Sequence, residues 1–238
     1  MKIAVFSDIH GNVSALEAVL QDIAGQNVDL LFCLGDLVGY GAYPNEVIDI
    51  IRKNHISTIM GNYDDGVGYD RNECGCAYKD EKMAELGHQS LAWTKIHVTV
   101  ENKAYLRGLL KRLEFTAYDK KILLVHGSPR KINEYLFENR PDDSIGRMIH
   151  AENVDILICG HTHLPYVKNL DGKYLINSGS AGKPKDGDNR AGYLILTLTE
   201  DRIAPEIVRV AYDVEAMARA IALTDLPDEF ADALRYAK

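Results

Sequence analysis

"KIAVFSDIHGNVSALEAVLQDIAG", Lys2 to Gly25, carries two different periods in one line. Residues 2–7 are β-branched, aromatic and apolar, the pattern of a buried strand. From Ser14 the apolar residues recur at helical spacing until Gly25 ends the run. Asp8 and His10 lie in the turn between the two. The unit then repeats: "VDLLFCLGD" (28–36) reads as a strand, "PNEVIDIIRKN" (44–54) as a helix with Pro44 in its first turn, and "ISTIMGN" (56–62) as a third strand. Strands joined by helical crossovers predict a mainly parallel sheet.

The second half has a different rhythm. Residues 79–113 follow a helical pattern and predict a helical cap or edge. "EFTAYDKKILLVHG" (114–127) reads as a hairpin turning at Asp119 and Lys120, and a helix is expected near 142–153. "VDILICGH" (154–161), the hairpin "PYVKNLDGKYLIN" (165–177) and the strands at 191–200 and 202–212 complete the chain up to a helical tail at 213–238. The late strands lack helices between them, so a second, mixed or antiparallel sheet is expected to pack on the first. The fold class is α/β, a sandwich of two sheets in one domain spanning 1–238. Whether the tail covers the sheet or reaches a partner stays open.

Composition narrows the function. The 238 residues carry a formal net charge of -8, which counts against a general nucleic-acid or membrane-surface binder, since both need basic patches. The first residues run straight into a strand, without the pattern of a secretory signal, and no stretch approaches the ~20 apolar residues of a membrane span. The expected location is the cytoplasm. Cys33 and Cys159 lie in apolar runs, as buried free thiols do. Cys74 and Cys76, in "ECGCAY", invite a metal or redox reading, but two thiols are too few for a tetrahedral zinc site.

The strand tips carry the chemistry. Asp8 and His10 follow the first strand, Asp36 the second, Asn62 the third, His126 the strand of the middle hairpin, and His161 and His163 the strand "VDILICG". Ligands in open α/β sheets gather outside the carboxyl ends of strands. Singly, such an Asp is a turn former and such a His a hydrogen-bonded structural residue. Together they form a donor set of imidazole, carboxylate and amide, suited to manganese, iron, zinc, nickel or cobalt. Seven donors are too many for one catalytic ion and suit two, with one carboxylate bridging.

"SDIHGN", "LGDLVGYG", "MGNYDD", "VHGSP" and "CGHTHLPY", in that order, resemble the five blocks of the calcineurin-like metallophosphoesterases. The likeness spans about Lys2 to Asn177. It implies a four-layered α/β/β/α sandwich, one divalent metal ion held by Asp8, His10 and His163, a second held by Asn62, His126 and His161, and Asp36 bridging them. Two such cations lower the pKa of a shared water, so that a bridging hydroxide attacks the phosphorus in line. The implied activity is hydrolysis of a small phosphorylated substrate, a phosphodiester or a nucleotide. The alternatives are a phosphomonoesterase, including a serine/threonine protein phosphatase, and an interaction scaffold like the retromer protein of this fold. That protein's ligand set is degraded, whereas here all seven positions are filled.

One block departs from the protein-phosphatase pattern. There the third block reads G-N-H-[D/E], with the histidine paired to the acid and thought to protonate the leaving group. Here it reads Asn62, Tyr63, Asp64. The resemblance is therefore to the small bacterial-type branch that lacks this histidine. Loss of a general acid typically costs ~10²- to 10⁴-fold, so Tyr63 implies altered catalysis, with its ring either stacking a nucleobase or filling space beside Asp64. The catalytic set expected is Asp36, Asn62, Tyr63 and Asp64. In the Gly-rich loop "NSGSAGKPKDGDNRAGY" (177–193), Asn177, Ser178, Ser180, Lys183, Lys185 and Arg190 could face a phosphate, and Arg190 is the best single candidate. Tyr40 and Tyr43 could line the entrance. His55, His88, His97 and His150 read as structural or surface residues.

Overall fold

A computed structural model describes all of residues 1–238. β1 (Lys2–Phe6), α1 (Val13–Ala24), β2 (Leu30–Cys33), α2 (Pro44–Lys53) and β3 (Ser57–Thr58) form the expected strand–helix repeat. β1, β2 and β3 are parallel neighbours, with Val5 opposite Phe32 and Cys33 opposite Thr58. Next come α3 (Asn62–Gly68), α4 (Glu81–His97) and α5 (Val100–Arg107), followed by the hairpin of β4 (Arg112–Ala117) and β5 (Lys120–Val125). The hairpin turns at Tyr118 and Asp119, one residue earlier than expected, because these two residues adopt the left-handed backbone that the turn needs. Arg112 and Leu113 belong to β4 and not to the helical segment.

α6 (Asp142–Glu152), β6 (Ile156–Cys159), β7 (Tyr166–Leu170) and β8 (Lys173–Asn177) complete a second sheet, in the order β4-β5-β6-β8-β7. The last two strands, β9 (Ala191–Leu198) and β10 (Ile203–Val210), depart from expectation. They return to the first sheet, which runs β10-β9-β1-β2-β3, with β9 antiparallel to β1. Buried or half-buried apolar side chains line both faces of these strands, so their pattern shows burial without showing against which sheet.

Alternation along the strands builds four layers. Ile3, Val5, Leu194, Leu196 and Leu198 from one sheet meet Ile122, Leu124, Ile156, Ile158 and Ile176 from the other, between the sheets. The intervening residues face outward: Ala4, Phe6, Tyr193 and Ile195 pack with Leu16, Val19, Val47 and Ile51 of α1 and α2. On the far side Leu123, Leu157 and Leu175 meet Ile145 and Ile149 of α6. Full burial of one such side chain is worth ~1.5 to 3 kcal/mol, and a one-residue slip would turn a whole strand's set the wrong way, so register is tightly held. The result is an α/β/β/α sandwich.

The tail forms α7 (Val214–Ala222) and α8 (Glu229–Tyr236). Met217, Ala218, Ile221, Phe230 and Leu234 form their own cluster, packed against Tyr40, Ala42, Tyr43 and Trp93. The tail thus covers the loop after β2, next to the strand tips. No helix is long and apolar enough to cross a membrane.

Candidate metal centre

The carboxyl ends of β1, β2, β5 and β6 open on one spot between the sheets, and two groups of buried donors meet there. Ligand atoms of Asp8, His10 and His163 lie within 4.8 Å of one another, as do those of Asp36, His126 and His161. The groups share an edge: Asp36 Oδ2 is 3.6 Å from His10 Nε2 and 3.4 Å from His126 Nε2. Asn62 Oδ1 adds a donor to the second group, 2.9 Å from His126 Nε2.

The backbone at these residues is bent for the purpose. Asp8, His10, Asp36, His161 and His163 all have φ between 51° and 65°, the left-handed region that non-glycine residues occupy at a cost of ~1 to 3 kcal/mol each. Five such residues at one spot aim their side chains back across the strand ends. Close approach needs glycine beside them: a Cβ on Gly61 would collide with Asp36 Oδ1, and one on Gly160 with Ser7 and Asp8.

Hydrogen bonds fix which atoms face inward. Nδ1 of His10 donates to the Val38 carbonyl, that of His126 to Leu34, and that of His163 to Lys183, so Nε2 is the nitrogen that each ring turns to the centre. Asp8 Oδ2 accepts the His161 N–H at 3.0 Å, while Oδ1, 3.3 Å from His163 Nε2, has no hydrogen-bond donor. His161 Nε2 is likewise buried without a partner. Buried polar atoms are rarely left orphaned, and two of them aimed into a cluster of donors fit metal ions well. Burial, reinforced by nearby positive charge, pushes His161 down to about 4 and His163 down to about 3, which leaves both rings neutral and able to ligate. Burial pulls the other way at Asp8 and Asp36, but the surrounding imidazoles outweigh it and hold both carboxyls below the usual range.

The profile of the calcineurin-like phosphoesterase superfamily domain matches residues 1–201. This chain belongs to that superfamily. It is 37% identical over 243 aligned residues to an uncharacterised protein of Methanocaldococcus jannaschii, covering 95% of this chain and 94% of that one. It is 27% identical over 198 residues to phosphodiesterase YfcE of Escherichia coli, covering 82% of this chain and 87% of YfcE. The crystal structure of a metallophosphoesterase from Sphaerobacter thermophilus, 29% identical, superposes with a TM-score of 0.77 over 100% of this chain and 99% of the other. The chain is a metal-dependent phosphoester hydrolase of the small branch, with two candidate metal-ligand groups.

In this calcineurin-like site the third block works through its backbone. The Asp64 carboxylate accepts from the N–H groups of Asp36, Leu37 and Gly61 at 2.8, 2.9 and 2.9 Å, pinning the β2 tip to the start of α3. Asp64 is fully buried and touches no open space, so it positions Asp36. Burial and the Asp36 charge push its carboxyl up to about 7, against the pull of the N–H groups. Tyr63 is 1% exposed, walled by Gly39, Tyr40 and His10, with its Oη unpartnered. That ring offers no free face for a nucleobase.

The Gly-rich loop divides into support and charge. Asn177 and Ser180 are buried and committed, Asn177 Nδ2 to the Gly160 carbonyl and Ser180 Oγ to the Asp8 carbonyl, both at 2.7 Å, and Ser178 is buried beside them. Arg190, the favoured residue of this loop, is turned to the surface and forked onto Asp188. Lys183 and Lys185 make no ion pair. Lys183 Nζ lies 4.8 Å from the Tyr40 ring centre, and the half-buried Lys185 adds to the downward push on His163 and His161. Tyr135, unmarked by any motif, packs its ring 4.1 Å from His161. Its place just after the "VHGSP" block was the available signal. Tyr40 is half-buried beside His10, Tyr43 sits under the tail, and His55, His88, His97 and His150 are exposed.

Proposed function

We infer that this enzyme is a dinuclear-metal phosphoesterase acting on phosphodiesters or nucleotide-type substrates. One observation carries the reading: a single oxygen of Asp36 lies between His10 of one donor group and His126 of the other. An oxygen so situated supports a carboxylate shared by two ions, with Asp8, His10 and His163 as the ligands on one side and Asn62, His126 and His161 on the other. Manganese, iron, zinc, nickel and cobalt all suit these donors. Bound there, two cations supply an activated water and positive charge for phosphoryl oxygens.

The surrounding residues support the substrate class. With Tyr63 sealed in and Asp64 engaged by three N–H groups, neither is free to hand a proton to a departing alkoxide. Aryl groups and phosphates leave without that help. Lys185, half-buried on the same loop and unpaired by any carboxylate, favours a substrate with added negative charge, as nucleotides have. Similarity to a phosphodiesterase points the same way.

The test is a panel with manganese-loaded protein: bis-p-nitrophenyl phosphate, a dinucleoside polyphosphate and phosphoserine. Turnover of the first two should exceed that of phosphoserine, and the reverse order would overturn the substrate assignment. Asp36→Asn should lose nearly all activity and weaken both ions in calorimetry. Retention of two tight ions would overturn the shared-ligand role.

A further inference from the structure

Cys74 and Cys76 stand beside a candidate ligand. Asn62 Nδ2 donates to the Cys74 carbonyl and to Cys76 Sγ, both at 3.2 Å, while its Oδ1 faces His126. An amide has one accepting and one donating end, so acceptors on the cysteine side oblige the oxygen to point at the second donor group. The two sulfurs are 3.1 Å apart, already in contact and about 1 Å beyond a disulfide bond length. Gly75, at φ 71°, allows this: its left-handed backbone brings both side chains to one side, and Asn133 Nδ2 pins its carbonyl at 2.7 Å. The other thiols, Cys33 and Cys159, are buried in the sandwich.

We propose that Cys74 and Cys76 form a reversible dithiol–disulfide pair that positions Asn62 and thereby sets the affinity of the second cation site. This rests on Asn62 being a ligand of that site. With glutathione disulfide as oxidant, the half-buried Cys76 sulfur attacks one glutathione sulfur and releases one glutathione thiol. The Cys74 sulfur then displaces the second glutathione and closes the Cys74–Cys76 bond. Two protein thiols lose two electrons and two protons, and one glutathione disulfide becomes two glutathione thiols. Bond formation draws the sulfurs together by about 1 Å and leaves a disulfide sulfur facing Asn62 Nδ2. The amide then keeps the Cys74 carbonyl but loses the thiol as its second acceptor, and Oδ1 is held less firmly toward His126.

The experiment compares the full-length protein, reduced and after equilibration with glutathione disulfide, by thiol counting, peptide mapping and manganese calorimetry. Oxidation should remove two of the four thiols and yield a Cys74–Cys76 peptide. It should weaken one of two manganese sites by about tenfold or more, the scale at which loss of a residue supporting a metal ligand acts, with recovery on reduction. Cys76→Ser, which lacks the attacking sulfur and keeps an oxygen acceptor for Asn62 Nδ2, should hold both sites under the same oxidant. A stable glutathione adduct without the intrachain bond, no oxidation at all, or a disulfide with both affinities unchanged would each overturn the proposal. A reduced protein that binds fewer than two ions would instead overturn the dinuclear reading on which it rests.

Discussion

The Tyr63 backbone N–H donates to Asp36 Oδ1 at 2.8 Å, so the residue in the histidine's place orients the bridging candidate through its main chain. The side chain is spare in that respect, and its buried hydroxyl has no partner. An unsatisfied buried polar group costs ~1 to 3 kcal/mol. Tyr63→Phe should therefore raise stability by about 1 kcal/mol in urea denaturation and leave diesterase turnover within about twofold of the parent. A large loss of turnover would show that the phenol takes part.

Asp64 is where a conservative change should be expensive. Its two oxygens accept three N–H groups, and asparagine offers one oxygen and an amide that opposes a donor. Asp64→Asn leaves at least one of them orphaned and should cost ~1 to 3 kcal/mol. It should also weaken manganese binding, because the Asp36 tip loses its anchor. Unchanged affinity in calorimetry would confine Asp64 to a stabilising role.

Charge near the substrate should follow the lysines. Lys185→Ala should raise KM for a dinucleoside polyphosphate by about tenfold, equivalent to ~1.4 kcal/mol, because a charge-assisted contact is lost. Arg190→Ala should match the parent, since that guanidinium is already occupied by Asp188 on the surface. If steady-state kinetics show the opposite pattern, the loop reorganises around substrate.

These contrasts mark where the chain was readable. Strand-to-helix repeats in residues 2–62 and polar tips such as Asp8 and His10 are local signals, and they led directly to the parallel strands and the donor groups. Pairing of β9 with β1 is non-local: Leu194, Leu196 and Leu198 alternate as they would in either sheet. Arg190 and Lys185 are told apart by Asp188, which engages the Arg190 guanidinium and which no periodicity encodes. Asp64 looked like the partner of a catalytic side chain. Only three-dimensional proximity shows it holding the N–H groups of another loop, 27 and 28 residues away.

The tail should contribute to the centre through contiguous packing. Phe230 meets Tyr40 edge-on at 5.1 Å, Tyr40 lies 4.8 Å from Tyr63 and 5.0 Å from His10, and Lys183 rests on the Tyr40 face. Phe230 is 5% exposed, so its truncation removes a wall from Tyr40 and opens a cavity beneath α8. Phe230→Ala should cost ~3 to 5 kcal/mol, the range for emptying a phenylalanine site. Leu223→Ala, at a residue 88% exposed on the same tail, should stay within ~0.5 kcal/mol. His10 keeps its Val38 tether in both, so saturating manganese should still load two ions while turnover falls in Phe230→Ala alone. Urea denaturation and turnover, measured side by side, decide it: a Phe230→Ala protein as stable and active as Leu223→Ala would mean that the tail is not packed on Tyr40 in solution.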